Sequence, residues 1–259
     1  MQILQAIILG IIQGITEFIP VSSSGHLLLA EKFFNLQVGS LLFDVMLHTG
    51  TLIALIIYFW KDLTAMAKSM LKPSGNPLWM WIIIATAPAV IIGILLQPLA
   101  EGGFRSAGVV AFNLFWVGIL MLAADKVQTR RELKDMNGRR ALAIGVAQSL
   151  ALIPGVSRSG ITIVGAVAQR FNREAAARFA FLLAIPITFG AIIKLLLDGG
   201  GIVVTNNLGV FGAGIAAAAI SGYWAIGWLL KYLATHKLAA FAYYRIALAA
   251  AIVLVSLVA

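Results

Sequence analysis

The stretch GITEFIPVSSSGH, from Gly14 to His26, places a carboxylate, a proline, three serines and a histidine inside an otherwise apolar segment. The chain around it has 259 residues, of which 61% are hydrophobic and 11% are charged. About a quarter of the residues of a soluble domain are charged. Apolar runs of membrane-spanning length recur along the whole chain. We therefore predict a multi-pass membrane protein whose polar interruptions carry its function.

Two further features of the composition narrow the chemistry and the partners. The chain has no cysteine, which excludes disulfides and thiolate catalysis. Its net charge of +9 would suit nucleic acid in a soluble protein. In a membrane protein, however, Lys and Arg collect on the cytoplasmic side. We therefore expect the charge to reflect topology, and we expect no nucleic-acid partner.

The interrupted stretch has a counterpart in the second half of the chain. From Gly10 the sequence reads GIIQGITEFIPVSSSGH, and from Gly145 it reads GVAQSLALIPGVSRSGI. The shared Gly, Gln, Ile-Pro and Ser-x-Ser-Gly residues occur in the same order, with a one-residue offset at the Ile-Pro pair. This match predicts an internal duplication, with halves of about 1–125 and 140–259 in a single membrane domain, 1–259.

Each half combines one interrupted segment with three long apolar segments. The long segments are Phe43–Trp60, Pro77–Leu99, Ala107–Ala124, Arg173–Leu197, Gly209–Leu230 and Ala239–Leu257. The interrupted segments, Ile3–Ile19 and Ala141–Ile153, end at Pro20 and Pro154, and a short polar loop and a short apolar stretch follow each. Irregular backbone at membrane depth must be buried in protein or line a wet cavity. We therefore predict that each interrupted segment forms a re-entrant helical hairpin.

The number of spans predicts how the halves are oriented. A re-entrant hairpin returns to its own side, and three spans are an odd number, so the second half is inverted relative to the first. The predicted fold class is an all-α integral membrane protein with an inverted-topology repeat, each half a re-entrant helical hairpin plus three transmembrane helices. The tips of the two hairpins are expected to meet within the bilayer.

The charged loops predict which side is cytoplasmic. The side opposite the N-terminus carries Lys61, Lys68, Lys72, Lys126, Arg130, Arg131, Lys134, Arg139, Arg140, Arg170, Arg173, Arg178, Lys231 and Lys237. The side of the N-terminus carries only Lys32, Arg105 and Lys194. This asymmetry places the first group in the cytoplasm and both termini outside.

The first break groups side chains that suit acid–base and nucleophilic chemistry. Glu17 is an ionisable residue at membrane depth, which is by default a functional hypothesis. Gln13 lies four residues earlier, on the same helical face. Ser22, Ser23 and Ser24 precede a helix start, whose free N–H groups suit an anion. His26 follows Ser23 at a spacing of three, so a hydroxyl, an imidazole and a carboxylate share one loop.

The second break keeps the loop serines but replaces the position of Ser23 by Arg158. A guanidinium suits phosphate oxygens. Together the two breaks indicate phosphoryl chemistry, with an electrostatic clamp and a nucleophile. A structural ion pair between Glu17 and Arg158 is the alternative for these two residues.

Two further sets of polar residues stay open at this point. Asp44 and His48 lie one turn apart in an apolar segment, and we favour a structural role because Asp44 at a helix start meets the helix dipole favourably. Arg245, in FAYYRIALAA, is buried by pattern. It could bind phosphate, pair with an acid, or pack among the aromatic residues.

The paired motifs resemble those of the undecaprenyl-diphosphate phosphatase family, also called the BacA or UppP family. The resemblance covers GIIQGITEFIPVSSSGH, LIPGVSRSGITI, FDVMLHTGTLIALIIYF and FAYYRIALAA, and thus essentially the whole chain. It implies two re-entrant hairpins and six spans. It also implies removal of the terminal phosphate of a C55 isoprenoid diphosphate, which recycles the lipid carrier for cell-wall synthesis and is associated with bacitracin resistance.

The resemblance also implies roles for individual residues. Catalytic roles fall on Ser23 as nucleophile, His26 as base or rival nucleophile, and Glu17, which would orient His26 or bind a cation. Substrate-binding roles fall on Gln13, Ser22, Ser157, Arg158 and Thr162. The implied cofactor is Mg²⁺ or Ca²⁺, for which Glu17 is the candidate ligand. The family motif has either Glu or Gln four residues before this Glu, and the Gln form, Gln13 here, offers one carboxylate fewer to a cation.

We therefore predict a bacterial inner-membrane lipid diphosphatase that acts on a polyprenyl diphosphate, with the termini and the active site opening to the periplasm. The main alternative is a transporter or flippase of the lipid phosphate, because inverted repeats are common in transporters. A purely structural protein gives no reason to place Glu17 and Arg158 in loops at lipid depth. The sequence leaves the oligomeric state open, with a homodimer among the options.

Overall fold

The structure, a computed structural model, describes residues 2–34, 41–71, 77–100 and 106–258. Two charges used for the topology prediction, Lys72 and Arg105, and the side chain of Lys32 lie outside this description. Twelve α-helices are described: α1 Gln2–Phe18, α2 Ser23–Phe34, α3 Leu41–Tyr58, α4 Trp60–Met70, α5 Leu78–Ala100, α6 Ala107–Ala124, α7 Gly138–Ser149, α8 Arg158–Ala168, α9 Arg173–Leu195, α10 Gly201–Asn206, α11 Leu208–Leu233 and α12 Ala239–Val258. Short 3₁₀ turns at Leu133–Asp135 and Leu150–Leu152 and a π turn at Leu196–Gly200 complete the described elements.

The lengths of the helices confirm an all-helical membrane protein. Five described helices are long and apolar enough to cross a membrane, namely α5, α6, α9, α11 and α12. A sixth span results if α3 and α4 are counted as one, because these helices are bent by 71° at a short break. The apolar α1 and α8 are shorter, as predicted for the helices that flank the two breaks.

The predicted segment Phe43–Trp60 coincides with α3, Leu41–Tyr58, to within two residues at each end, and the bend to α4 lies where that segment ends. The apolar run ends at Lys61 and Asp62, and α4 contains no buried residue. Asp62 instead accepts a hydrogen bond from Arg178 of α9 at 2.7 Å. This contact ties α4 to α9 beyond the bend.

Small residues let α1 pack closely against α11. A Cβ atom on Gly14 would lie 2.4 Å from the carbonyl oxygen of Ala218, and one on Gly10 would lie 2.3 Å from that of Gly214. No larger side chain fits at these two positions, and small residues at such crossings allow helix backbones to approach in membrane proteins. Because Gly10 meets Gly214 and Gly14 meets Ala218, the two helices run parallel.

The loops that we predicted on the cytoplasmic side lie together at one end of the molecule. Asp125, just after α6, accepts hydrogen bonds from Arg173 Nε at 2.9 Å and from the backbone N–H of Leu238 at 3.1 Å. The loop before α7 is joined to the end of α8, where Arg131 pairs with Phe171 in an isolated β-bridge. These contacts bring the ends of three predicted spans, α6, α9 and α12, and of the second predicted hairpin to one place.

The two breaks meet in the interior, as predicted for the hairpin tips. The backbone N–H of Gly155 donates to Ser24 Oγ at 3.3 Å, and Ser159 Oγ donates to the carbonyl oxygen of Glu17 at 2.9 Å. Asn113 of α6 donates to the carbonyl oxygen of Pro154 at 2.8 Å. The inversion of the two halves across a membrane stays a prediction.

Candidate active site

The two loops have the same local geometry at matched positions. Ser22 and Ser157 both have a positive φ, of 76° and 72°, a conformation that is uncommon for non-glycine residues. In each loop this serine lies within hydrogen-bond distance of the serine two positions later, at 3.2 Å for Ser24 and 3.3 Å for Ser159. A helix begins at the intervening residue in both cases. The repeated conformation supports the predicted duplication at the level of the loops.

Arg245 of α12 joins the two loops through hydrogen bonds to their backbones. Its side chain is fully buried and donates to the carbonyl oxygens of Pro20 in the first loop and of Gly155 and Val156 in the second. It also donates to two carbonyl oxygens at Asn113 and Leu114 of α6. Of the three roles left open for Arg245, the structure therefore supports a structural one. It lies outside the lining of the site cavity.

A cavity of about 310 Å³ opens where the loops meet. Its polar lining consists of Glu17, Ser22, Ser23, Ser24, Asp44, His48, Ser157 and Arg158. Its apolar lining consists of Leu28, Val110 and the segment 151–154. The cavity thus brings residues of both breaks and of α3 to one space.

Glu17 is the centre of the hydrogen-bond network in this cavity. Its side chain is buried, and its Oε1 atom accepts a hydrogen bond from Arg158 at 2.5 Å. Its Oε2 atom accepts one from Ser23 Oγ at 2.7 Å and one from Gln13 Nε2 at 3.1 Å. Burying a carboxylate is costly unless it is paired and hydrogen-bonded. These contacts satisfy that requirement, so a negative charge can persist in an apolar interior.

Arg158 links Glu17 to α9. Besides the ion pair, its Nη1 atom donates to Thr188 Oγ1 and to the carbonyl oxygen of Ala184. The guanidinium stays partly accessible, with 16% of its side chain exposed to the cavity and its surroundings. The ion pair that we weighed as a structural alternative is therefore present, and it lies on the wall of the cavity.

Ser23 and His26 do not form the contact that we predicted from their spacing. Ser23 donates to Glu17, whereas the two ring nitrogens of His26 have other partners. Nδ1 lies 2.8 Å from the carbonyl oxygen of Ser22, and Nε2 lies 2.7 Å from the hydroxyl of Tyr244 on α12. A carbonyl oxygen can only accept, so Nδ1 carries the hydrogen and Nε2 accepts from Tyr244. The ring also stacks on Tyr244, with planes 6° apart.

This arrangement corrects the local geometry expected for His26. Helix α2 begins at Ser23, so His26 lies one helical turn after Ser22. The four-residue spacing between His26 and Ser22 brings the imidazole ring to the carbonyl oxygen of Ser22. His26 is outside the cavity lining. Tyr244 is the partner that sequence reasoning missed, and its distance of 218 positions along the chain explains why.

Asp44 and His48 are the site residues that we had assigned to structure. Both line the cavity, although Asp44 does lie in the first turn of α3, as the dipole argument required. His48 Nδ1 lies 2.8 Å from Gln13 Nε2 and 3.6 Å from Glu17 Oε2. The available signal was the one-turn spacing of two ionisable residues within an apolar segment.

Gln13 and Thr162, predicted as substrate-binding residues, are both fully buried and outside the cavity lining. Gln13 acts between Glu17 and His48. Thr162 Oγ1 has no hydrogen-bond partner among the described residues. Their direct contact with a ligand stays a prediction, whereas Ser22, Ser157 and Arg158 do line the cavity.

The donor set around Glu17 does not fit a resident Mg²⁺ or Ca²⁺ ion. Both carboxylate oxygens are already engaged by Arg158, Ser23 and Gln13. Within the described parts of the chain, no group of three or more His, Asp or Glu side chains could hold a metal ion. Hard cations prefer several oxygen ligands, so the protein by itself does not supply the expected site.

The arrangement suits chemistry on a phosphorylated ligand. A hydroxyl held by a carboxylate, a guanidinium and two helix starts face one cavity, where N–H groups and the helix dipole favour an anion. Phosphoryl transfer depends mainly on positioning and electrostatic stabilisation. The site has both, together with an apolar wall that suits a lipid.

Comparison with known proteins identifies the family of this chain. The family described as "Bacitracin resistance protein BacA" matches residues 6–251. A protein of Moorella thermoacetica named "Undecaprenyl-diphosphatase" is 42% identical over 260 residues, covering 98% of each chain. Proteins of the same name from Rubrobacter xylanophilus and Halothermothrix orenii are each 42% identical, covering 96% and 94% of this chain and 97% and 94% of their own. The chain belongs to the BacA family.

Proposed function

We propose that this protein is a membrane phosphatase that hydrolyses undecaprenyl diphosphate to undecaprenyl phosphate and phosphate. The observation that carries the proposal is the contact of Ser23, Glu17 and Arg158 on one wall of the cavity. The names of the relatives supply the substrate, and the family description supports a role in bacitracin resistance. These names favour a phosphatase over a transporter of the same lipid.

In the proposed mechanism, the Ser23 oxygen attacks the terminal phosphorus of the diphosphate. The hydroxyl proton passes to Glu17 Oε2, 2.7 Å away. The bond from this phosphorus to the bridging oxygen breaks, and undecaprenyl phosphate leaves. A water molecule then attacks the phosphoserine, the bond from phosphorus to the Ser23 oxygen breaks, and Glu17 returns its proton to that oxygen. Phosphate leaves with the oxygen and the protons of the water, so the hydroxyl and the carboxylate are both restored. The transition state of phosphoryl transfer is loose, with little bond formation to the attacking oxygen. The hydroxyl therefore needs only a weak base, and a carboxylate paired with an arginine is a sufficient proton acceptor.

The positive groups of the site hold the phosphates in this proposal. Arg158 and the N–H groups at the start of α8 bind the terminal phosphate, with Ser22 and Ser157 beside it. His26 acts by position, since its Nδ1–H donates to the carbonyl oxygen of Ser22 and fixes the loop that carries Ser23. The alternative roles of His26, as base or as nucleophile, require the ring to leave Tyr244 and turn toward the cavity.

The expected cation is proposed to enter with the substrate. The diphosphate binds Mg²⁺ or Ca²⁺ through its own oxygens, which is compatible with the engaged donors around Glu17. No step of the mechanism above is assigned to the ion.

The site is proposed to serve the bacterial inner membrane from its outer face. The positive charge of the loops around Asp125 and Arg173 supports a cytoplasmic location for that end, and the proposal therefore puts both termini and the mouth of the first hairpin in the periplasm. The oligomeric state stays open, with a homodimer among the options, and cross-linking of the purified protein in detergent would test it.

The test of the function is phosphate release from undecaprenyl diphosphate by purified protein in detergent, with Mg²⁺ and with EDTA. We expect release with Mg²⁺, loss with EDTA, and loss in Arg158→Ala and His26→Ala. A matched control is Arg139→Ala, which removes an exposed arginine that does not line the cavity. If well-folded wild-type protein releases no phosphate, the phosphatase proposal is wrong and the transporter becomes the leading hypothesis.

A further inference from the structure

His48 faces the same cavity as the proposed nucleophile, but nothing in the mechanism so far uses it. It lies on α3, and its side chain is 30% exposed. Among described residues, the only polar contacts of its ring are made by Nδ1, to Gln13 Nε2 at 2.8 Å and to Glu17 Oε2 at 3.6 Å. The other ring nitrogen, Nε2, has no protein partner in the described part of the chain.

The contacts of Gln13 assign the hydrogen on the His48 ring. The amide nitrogen of Gln13 lies within hydrogen-bond distance of both Glu17 Oε2 and His48 Nδ1. An amide NH₂ group has two hydrogens and no acceptor, and a carboxylate only accepts. Gln13 therefore donates one hydrogen to Glu17 and the other to His48. Nδ1 is then the accepting nitrogen, and the neutral ring carries its hydrogen on Nε2.

Gln13 consequently has a role that its motif alone does not reveal. It is fully buried, so it orients two other side chains instead of meeting a ligand itself. The same amide holds Glu17 against Ser23 and turns the His48 ring so that its N–H is free. This leaves one neutral donor on the cavity wall formed by α3, in addition to Arg158 on the wall formed by α8.

We propose that His48 is a substrate-contacting residue that donates its Nε2 hydrogen to a phosphoryl oxygen of the bound diphosphate. The proposal rests on the proposed function and deepens it, because it assigns the second phosphate clamp to α3. His48 lies near Glu17 Oε2, whereas Arg158 binds Glu17 Oε1. His48 acts as a donor throughout the reaction, with no change of its protonation. Gln13 is the positioning residue for this donor.

Two substitutions at His48 separate contact from positioning. His48→Asn keeps an acceptor near the Nδ1 position and removes the Nε2 donor. His48→Gln places an amide near the Nε2 position and loses the acceptor for Gln13. We expect kcat/KM to fall roughly 10- to 100-fold in His48→Asn, the loss of one hydrogen bond to a charged group, and we expect His48→Gln to keep most of the wild-type value.

The separate changes in KM and kcat distinguish a lost substrate contact from a general disturbance of the site. Because the phosphoryl oxygens are charged before and during the reaction, we expect the loss in His48→Asn to fall mainly on KM. The control is His236→Asn, since His236 is exposed after α11. Equal losses in His48→Asn and His48→Gln, or a wild-type kcat/KM in His48→Asn, overturn the contact.

A binding measurement separates this inference from the phosphatase proposal. The probe is a methylene-bridged analogue of undecaprenyl diphosphate, which cannot be hydrolysed, titrated into the full-length protein in detergent. We expect the affinity of His48→Asn for the probe to fall by a factor similar to its loss in kcat/KM. If wild-type protein binds the probe but releases no phosphate from the substrate, the function is refuted while the affinities still test His48. Equal affinities of wild type and His48→Asn overturn the inference.

Discussion

The hydrogen bonds of Arg245 to both loops predict that the arrangement of the site depends on this one guanidinium. Arg245 makes five hydrogen bonds, all to backbone carbonyl oxygens, from Pro20, Asn113, Leu114, Gly155 and Val156. The first loop, the second loop and α6 are therefore joined through one side chain that is fully buried. Its substitution is expected to destabilise the fold and to separate the groups that form the cavity.

The size of the effect follows from the number of donors. Lysine has three N–H donors and arginine has five, so Arg245→Lys leaves at least two of the five carbonyl oxygens without a hydrogen bond from this side chain. At about 1.5–3 kcal/mol for each hydrogen bond to a charged group, the free energy of unfolding falls by roughly 3–6 kcal/mol. Arg245→Met leaves all of them without this donor, and the summed loss approaches the whole stability of a typical domain, about 5–15 kcal/mol.

The assay is thermal unfolding in detergent, followed by phosphate release from the fraction that remains folded. We expect Arg245→Lys to melt at a lower temperature and to lose activity, and Arg245→Met to fail to accumulate. Arg139→Met, at an exposed arginine, is the control and is expected to behave as wild type. An Arg245→Met protein with wild-type melting temperature and turnover would refute the proposed role of Arg245 in joining the loops.

Three further substitutions or treatments test other contacts. Gly155→Ala would bring a Cβ to 2.7 Å from the carbonyl oxygen of Val110 at a φ of 89°, so we expect lower thermal stability and lost phosphate release; wild-type values for both would contradict the close approach. Glu17→Gln leaves the Arg158 charge without its partner, which costs about 3–5 kcal/mol when such a pair is buried; unfolding in detergent is the measurement, and an unchanged melting temperature would show that the pair contributes little. Calorimetry of the protein without lipid is expected to find no tight Mg²⁺ site, whereas EDTA abolishes turnover and added Mg²⁺ or Ca²⁺ restores it; tight binding to protein alone would mean that our reading of the donors around Glu17 is wrong.

The helices could be predicted well because their signal is local. A run of apolar residues of membrane length requires a helix whatever lies around it, since backbone groups in lipid must be satisfied within the segment. The predicted segment Ala107–Ala124 coincides with α6, and Arg173–Leu197 ends within two residues of α9. The contact of Asp62 with Arg178 could not be predicted, because it joins positions 116 residues apart.

The site could be predicted only in part, for the same physical reason. Ser23, Glu17 and Arg158 stood out because polar side chains are rare at membrane depth, and the duplicated motif indicated that the two breaks meet. The partner of each side chain depended on packing that the spacing could not give. Spacing suggested that His26 serves Ser23, whereas the start of α2 turns the ring toward the Ser22 carbonyl and Tyr244.

Asp44 and His48 were assigned a structural role from the sequence, although their spacing also suited a functional pair. Asp44 and His48 have the one-turn spacing of a functional pair, but the favourable position of Asp44 at a helix start offered a sufficient structural reason. Only the cavity lining reveals that both side chains face the site. Thr188, which accepts from Arg158, had no signal at all in the sequence.

The central claim is that the cavity between the two loops is a phosphatase site with Ser23 as its nucleophile. The most direct measurement is steady-state phosphate release from undecaprenyl diphosphate by Ser23→Ala, beside wild type and the control Ser69→Ala, whose hydroxyl only caps the backbone of α4. We predict a loss of at least about 10³-fold in kcat for Ser23→Ala, as for removal of a nucleophile in other enzymes, and an unaffected Ser69→Ala. The lost hydrogen bond to Glu17 lowers the melting temperature of Ser23→Ala, but the protein stays folded at the assay temperature. Near-normal turnover by Ser23→Ala would contradict the account.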